Sequence, residues 1–223
     1  PICIRSNGVT KLKITDIKTH VLMPIPGLAW LFVEVETDEG ISGLGECTDY
    51  AVNNHLVRGL EAVKPLVIGS DPNNIEEIWQ RIFHVYSDLN GRGYVSHLIS
   101  AIDIALWDIK GKALGQPVWR LLGGARERVE AYSTFGFSFL ERDELADAAR
   151  HMVGKGFRAL KTNIVFPGDP ARTYGVGFGG GPGTTDQNIT PALLRHIEQY
   201  IGTFKEGAGP DVQIALDLNF HFK

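Results

Sequence analysis

The chain has 223 residues, 43% of them hydrophobic and 22% charged, an ordinary globular composition that excludes disorder, a collagen-like repeat and a coiled coil. Net charge is -4, with 26 acidic against 22 basic residues and no Lys/Arg block, so the positive field that nucleic-acid binding exploits is missing and no nucleic-acid partner is expected. No stretch reaches the roughly 18 apolar residues that span a bilayer, no secretory signal is evident, and Cys3 and Cys47 make neither a disulfide framework nor a metal spacing; a soluble, cytoplasmic protein with no membrane partner is expected.

Residues 12–46 have a sheet-like pattern: Val33 and Val35 alternate with Glu34 and Glu36, Asp38-Glu39-Gly40 supplies a turn, and residues 41–46 return. The pattern predicts a hairpin with one wet face. From His55 the period becomes helical, most clearly in the stripe Ile75, Ile78, Trp79, Ile82 and Phe83. Asp71-Pro72 offers a start for that helix, because an Asp side chain accepts from orphan amides and Pro has no amide to lose. A third helix carries Val95, Leu98, Ile99, Ile102, Leu106 and Ile109 on one face and ends near Gly115-Gln116-Pro117. This first part reads as an α+β unit, a small β-meander followed by a helical bundle.

After Gly123-Gly124 apolar segments alternate with amphipathic helices. Strands are predicted at residues 129–135, 157–165 and 212–219, with helices over residues 143–155 and from Thr190-Pro191 onward. Strand, helix, strand, helix, strand with right-handed crossovers is a parallel α/β domain. The Pro/Gly-rich stretch over residues 167–190 is long for a βα loop and falls on the face where α/β enzymes place their chemistry.

Period-2 alternation places Leu160, Thr162 and Ile164 on one face of the second strand and Ala159, Lys161 and Asn163 on the other. In the third strand Ile214, Leu216, Leu218, Phe220 and Phe222 share one face, and Ala215, Asp217, Asn219 and His221 the other. In a parallel barrel such strand ends converge at one mouth, where Lys161, Asn163, Asp217 and Asn219 would meet. A carboxylate there is a natural hard-cation ligand and a Lys beside it can hold a substrate carboxylate. The plainer alternative, strand-end polar groups that cap loops or reach solvent, is the commoner outcome for such positions.

Other candidates carry less. The run from Gly175 to Gly180 matches G-x-G-x-x-G, yet it neither follows a strand closely nor opens a helix, so a flexible insertion or lid is favoured over a nucleotide loop. His151 and His196 sit in helical segments as surface or packing residues, whereas His221 lies near a strand end. Asp103 and Asp108 do not share a helical face, which favours a scaffold role.

Residues 100–124, beginning Ser100-Ala-Ile-Asp103 and running through Ala105-Leu-Trp-Asp108 to Gly123-Gly124, resemble the signature helix and exit of the mandelate racemase/muconate lactonizing enzyme group of the enolase superfamily. The hairpin ending Gly43-Leu-Gly-Glu46, Lys161-Thr-Asn163 where that group has K-x-K, and Asp217-Leu-Asn219 where it has D-x-N support the resemblance in the same order. It covers the whole chain, with the Gly-rich stretch as an insertion.

The resemblance implies an α+β capping domain, residues 1–127, followed by a (β/α) TIM-type barrel domain from residue 128, of which residues 128–223 hold about three strands. Two cap loops, near residues 23–30 and 48–54, would reach the site, with Trp30 and Tyr50 as substrate contacts. Asp217 corresponds to the first Mg²⁺ ligand, Lys161 to the Lys on the substrate carboxylate, and Asn219 to a polar neighbour of the metal; Mn²⁺ favours similar ligands. The implied chemistry is removal of the α-proton of a carboxylate by a Lys or His, with Mg²⁺ stabilising the ene-diolate. Asn163 stands where a racemase of this group carries its second Lys, and an amide cannot take that proton. The resemblance therefore implies dehydration of an acid sugar (aldonate or aldarate) to a 2-keto-3-deoxy acid, with a His from a later strand as acid/base, Asn163 bonded to a substrate hydroxyl and His221 assisting. A racemase, epimerase or cycloisomerase of the same superfamily, and a non-catalytic binding relative, are the alternatives. A homo-oligomer is expected from the family alone. A barrel takes about 250 residues, so the expectation is also that this chain is part of a longer protein, with neither a stable barrel portion nor activity on its own.

Overall fold

In the computed structural model the described residues are 12–25, 28–48, 53–86, 93–135, 140, 142–163 and 191–217. The alternation at the start of the chain becomes a three-stranded antiparallel sheet of β1 (Ile14–Ile25), β2 (Leu28–Thr37) and β3 (Ser42–Glu46), in the order β1-β2-β3. Leu31, Val33 and Val35 are fully buried on one face. The other face is wet, with Lys18 paired to Glu36 and His20 to Glu34.

Three helices cover the apolar face: α1 (Asn53–Val67), α2 (Ile75–Tyr86) and α3 (Tyr94–Leu114). The stripes read from the sequence face the core, with Trp79 and Phe83 of α2 partly buried at its margin. Ile75, Ile78 and Ile82 of α2 meet Val95, Leu98, Ile99, Ile102, Leu106 and Ile109 of α3 in one core with the sheet residues and with Leu56, Leu60 and Val63 of α1. The helix α3 ends on Gly115, whose φ of 60° is the left-handed cap that glycine adopts without cost. The packing of β3 against α3 is close enough to require glycine: a Cβ at Gly43 would overlap the carbonyl oxygen of Ala105, and one at Gly45 that of Ala101. Asp108 completes the junction by accepting from the Leu44 amide at 2.9 Å while paired with Lys112 at 2.8 Å.

Three local expectations are corrected. Asp71-Pro72 does not start α2: Asp71 closes a turn by accepting from the Asn73 amide, and the helix begins at Ile75, with the Asn74 carbonyl receiving the Ile78 amide. Residues 23–25 and 28–30 belong to strands rather than a loop, since the β1–β2 ladder continues through Leu22↔Trp30 to Ile25↔Leu28 with a bulge between. The short helix α4 (Val118–Leu121) follows Pro117, where only an exit from α3 was read.

Two compact units divide the chain, Pro1–Ala125 and Arg126–Lys223. The second contains β4 (Ser133–Thr134), α5 (Arg142–Gly154), β5 (Ala159–Asn163), α6 (Pro191–Ala208) and β6 (Gln213–Asp217). Its strands form a parallel sheet in the order β4-β5-β6, the expected α/β unit. The predicted strand over residues 129–135 shrinks to Ser133–Thr134; Val129 is 78% exposed and has no ladder partner. Both helices contribute to a core under one face of the sheet, made by Phe135, Leu145, Ala149, Leu160, Tyr200, Phe204, Ala208 and Val212.

Candidate functional site

The alternation in β5 sends Leu160 and Thr162, both fully buried, under the helices and leaves Lys161 on the opposite face. The one polar group this buries is satisfied, because the Thr162 hydroxyl lies 3.1 Å from the Tyr200 hydroxyl of α6. In β6, Ile214 packs against the same core, so Ala215 and Asp217 fall on the face of Lys161. Parallel register puts Lys161 beside Ala215 and Asn163 beside Asp217. Lys161 thus stands two residues short of the register position of Asp217, and its four-carbon stem spans the diagonal: Nζ donates to Asp217 Oδ2 at 2.9 Å, across 56 residues of chain.

This contact joins the two residues that sequence analysis put at the centre of the site. It is half-open, with side-chain exposures of 25% for Lys161 and 39% for Asp217. The hydrogen bond to Asp217 raises the Lys161 ammonium above its ordinary pKa, partial burial opposes this, and the charges of Asp217 and Tyr132 reinforce it. Lys161 is therefore a fixed positive charge and not a proton acceptor at neutral pH.

The other expected site residues stand differently. Asn163 ends β5 at the register position of Asp217, with its side chain outside the described residues. Tyr50, Asn219 and His221 lie outside the described residues, as does the run from Gly175 to Gly180. Trp30 belongs to β2 of the first unit, is 39% exposed and meets Phe32 edge-on at 6.4 Å. His151 is exposed, and Asp108 anchors β3, as a scaffold residue does. Asp103 is half-buried, and that burial raises its carboxyl pKa, with the charge of Glu76 adding to it. Cys47 is buried, and the loss of solvent pushes its thiol up to about 12.

Sequence reasoning passed over Thr134. It is the ladder partner of Lys161 on β4, exposed, and one step from buried Phe135, so it shares the face of Lys161. The same alternation that singled out Lys161 and Asp217 marks it, one strand earlier.

A divalent cation was expected at Asp217. The donor chemistry fits: the carboxylate is a hard-oxygen ligand, partly open, and a positive charge, the Lys161 ammonium, already sits against it. Among the described residues no group of three or more His, Cys, Asp or Glu side chains is placed to hold a metal, so Asp217 fits as one ligand of a set. No described helix is long and apolar enough to cross a membrane.

Comparison with known proteins agrees with this fold. Residues 27–123 match the family described as mandelate racemase / muconate lactonizing enzyme, N-terminal domain. A D-galactonate dehydratase family member of Streptomyces bingchenggensis is 35% identical over 220 residues, 92% of this chain and 52% of that protein. The D-galactarolactone cycloisomerase of Agrobacterium fabrum is 33% identical, over 93% of this chain and 52% of that protein. Among solved structures, a Burkholderia xenovorans protein provisionally assigned as an L-alanine-DL-glutamate epimerase, with magnesium and fumarate bound, superposes with a TM-score of 0.81 at 28% identity, over 95% of this chain and 55% of that one. The chain spans about half the length of the curated relatives it matches. With its signature α3 helix packed on the Gly43-Leu-Gly-Glu46 strand and a parallel α/β unit following it in sequence, the chain belongs to the mandelate racemase/muconate lactonizing enzyme group of the enolase superfamily.

Proposed function

We propose that this chain belongs to a cytoplasmic enzyme that removes the α-proton of a small carboxylate and, in acid sugars of the aldonate or aldarate type, expels the β-hydroxyl to give a 2-keto-3-deoxy acid. The observation that carries the reading is the 2.9 Å contact of Lys161 with Asp217 at the ends of adjacent parallel strands. A cation-holding carboxylate and an anion-holding ammonium side by side suit a carboxylate substrate whose negative charge grows during reaction. The dehydratase and cycloisomerase names of relatives covering more than nine-tenths of the chain support the substrate class.

In this reading residues 1–127 cap a (β/α) barrel whose first strands are β4, β5 and β6. Lys161 orients the substrate carboxylate. Asn163, an amide without basicity, hydrogen-bonds a substrate hydroxyl, and Asn219 borders the cation position. Trp30 and Tyr50 contact the substrate from the cap. His221 assists proton transfer, with the principal base a His from a further strand. Mg²⁺, or Mn²⁺, held by Asp217 with additional ligands, would supply fixed positive charge to the substrate oxygens as the proton leaves. The proton goes to the base, the electron pair expels the β-hydroxyl as water with a proton from the acid, and the resulting enol becomes the keto acid.

The test incubates the intact protein and Mg²⁺ with a panel of aldonates and aldarates and assays 2-keto-3-deoxy acids. Formation from at least one substrate, abolished in Asp217→Asn, is expected. A second reading, cycloisomerisation or epimerisation, is favoured by the Agrobacterium relative and shares the proton-removal step. Ring opening, in which the electron pair expels the lactone ring oxygen, predicts a keto acid from the lactone and none from the open-chain acid; epimerisation predicts an inverted acid sugar with no keto acid.

A further inference from the structure

The geometry points to Lys161 as an exchangeable counter-cation: its ammonium neutralises Asp217 while no divalent cation is bound, and passes to the substrate carboxylate when a cation takes Asp217. This rests on the reading of Asp217 as a cation ligand and Lys161 as the carboxylate contact. The ammonium has three donors, and its contact with Asp217 Oδ2 at 2.9 Å employs one of them. Both partners are partly exposed, 25% and 39%, so the pair is weak enough to exchange. A divalent cation on the carboxylate would repel the ammonium and replace its attraction.

There is somewhere for the ammonium to go. On the side of Lys161 away from β6 stands Thr134, its ladder partner, exposed and with a hydroxyl that has no hydrogen-bond partner among the described residues. Neighbouring strands are about 4.8 Å apart, so a rotation of the lysine stem toward β4 leaves Asp217 and keeps the ammonium beside a hydroxyl. An arriving carboxylate then meets a charged donor and a neutral one. Because both ligands require the same arrangement of one side chain, the ammonium withdrawn from Asp217, each must strengthen the other, by the same factor in both directions. Lys161 remains protonated throughout, so the exchange needs no proton transfer.

The experiment is calorimetry on intact, metal-stripped protein, with D-galactonate alone and Mg²⁺ alone as probes. In Asp217→Asn the ammonium is released, and D-galactonate binding to metal-free protein should tighten about three- to fivefold relative to the wild type. In Lys161→Met the carboxylate is released, and Mg²⁺ binding without substrate should tighten by a similar factor. Unchanged or weaker binding in a folded variant, judged by circular dichroism, overturns the exchange; if one variant does not fold, the other decides. The proposed function fails separately, by the absence of any Mg²⁺ binding to the wild type, and the D-galactonate arm still judges the contact.

Discussion

The junction of β3 with α3 and the junction of β5 with β6 treat their side chains in opposite ways. At the first, Gly43 and Gly45 remove their side chains so that the α3 backbone can lie against the strand, and the nearest neighbours on α3, Ala101 and Ala105, are fully buried. At the second, long polar side chains, Lys161 and Asp217, project from the sheet and stay partly open. Both stretches belong to the motifs by which the chain resembles its family. The contrast separates two reasons for a motif: Gly43-Leu-Gly-Glu46 and the α3 signature are required by close packing, whereas Lys161 and Asp217 contribute little to packing and are suited to ligands.

That separation is open to direct attack. The largest effect is expected from Asp217→Asn, which should lower kcat/KM about a thousandfold or more by weakening the cation site, while the unfolding free energy measured in urea changes by less than about 1 kcal/mol because the pair is partly exposed. A large loss of stability in that variant would erase the contrast. Next, Gly45→Ala should destabilise the first unit by about 2–3 kcal/mol through overlap with the Ala101 carbonyl, measured by urea unfolding; turnover per folded molecule should be retained. Asp108→Ala should cost about 1–2 kcal/mol, because the Leu44 amide loses its acceptor.

The smallest effect concerns pH. The Lys64 ammonium, 2.8 Å from Asp16, together with the Ile17 amide, holds the Asp16 carboxyl below its ordinary value. A carboxyl depressed on folding stabilises above its unfolded pKa, near 4, and that stability is lost as pH falls through the lower folded value. Asp16→Asn should therefore lose a few tenths of a kcal/mol at neutral pH and converge with the wild type in acid. A difference persisting below the folded value would assign Asp16 a role other than its charge.

The helices were legible because their burial is a matter of period: the stripes of α2 and α3 face one core, with Trp79 and Phe83 partly buried at its edge. The Lys161–Asp217 contact was legible for the same reason, since period-2 alternation and parallel register are enough to place two strand ends side by side. What failed was decided by neighbours rather than by local pattern. Residues 129–132 are apolar enough for a strand, yet the ladder to β5 begins only at Ser133, and Val129 is left exposed. Asp71 has the side chain of a helix cap, but a turn through Asn73 uses that carboxylate before α2 begins. Thr134 was overlooked because its importance comes from its ladder partner, and a two-residue strand gives too little alternation to reveal a face.

The central claim is that the Lys161–Asp217 face serves removal of a carboxylate's α-proton. The most direct measurement is proton NMR of acid sugars incubated in D₂O with the intact protein, with and without Mg²⁺, beside Asp217→Asn. The account predicts Mg²⁺-dependent loss of the α-proton signal, with keto-acid resonances appearing, and neither change in the variant. An α-proton that persists in every acid sugar with Mg²⁺ present, or an undiminished rate in Asp217→Asn, would contradict it.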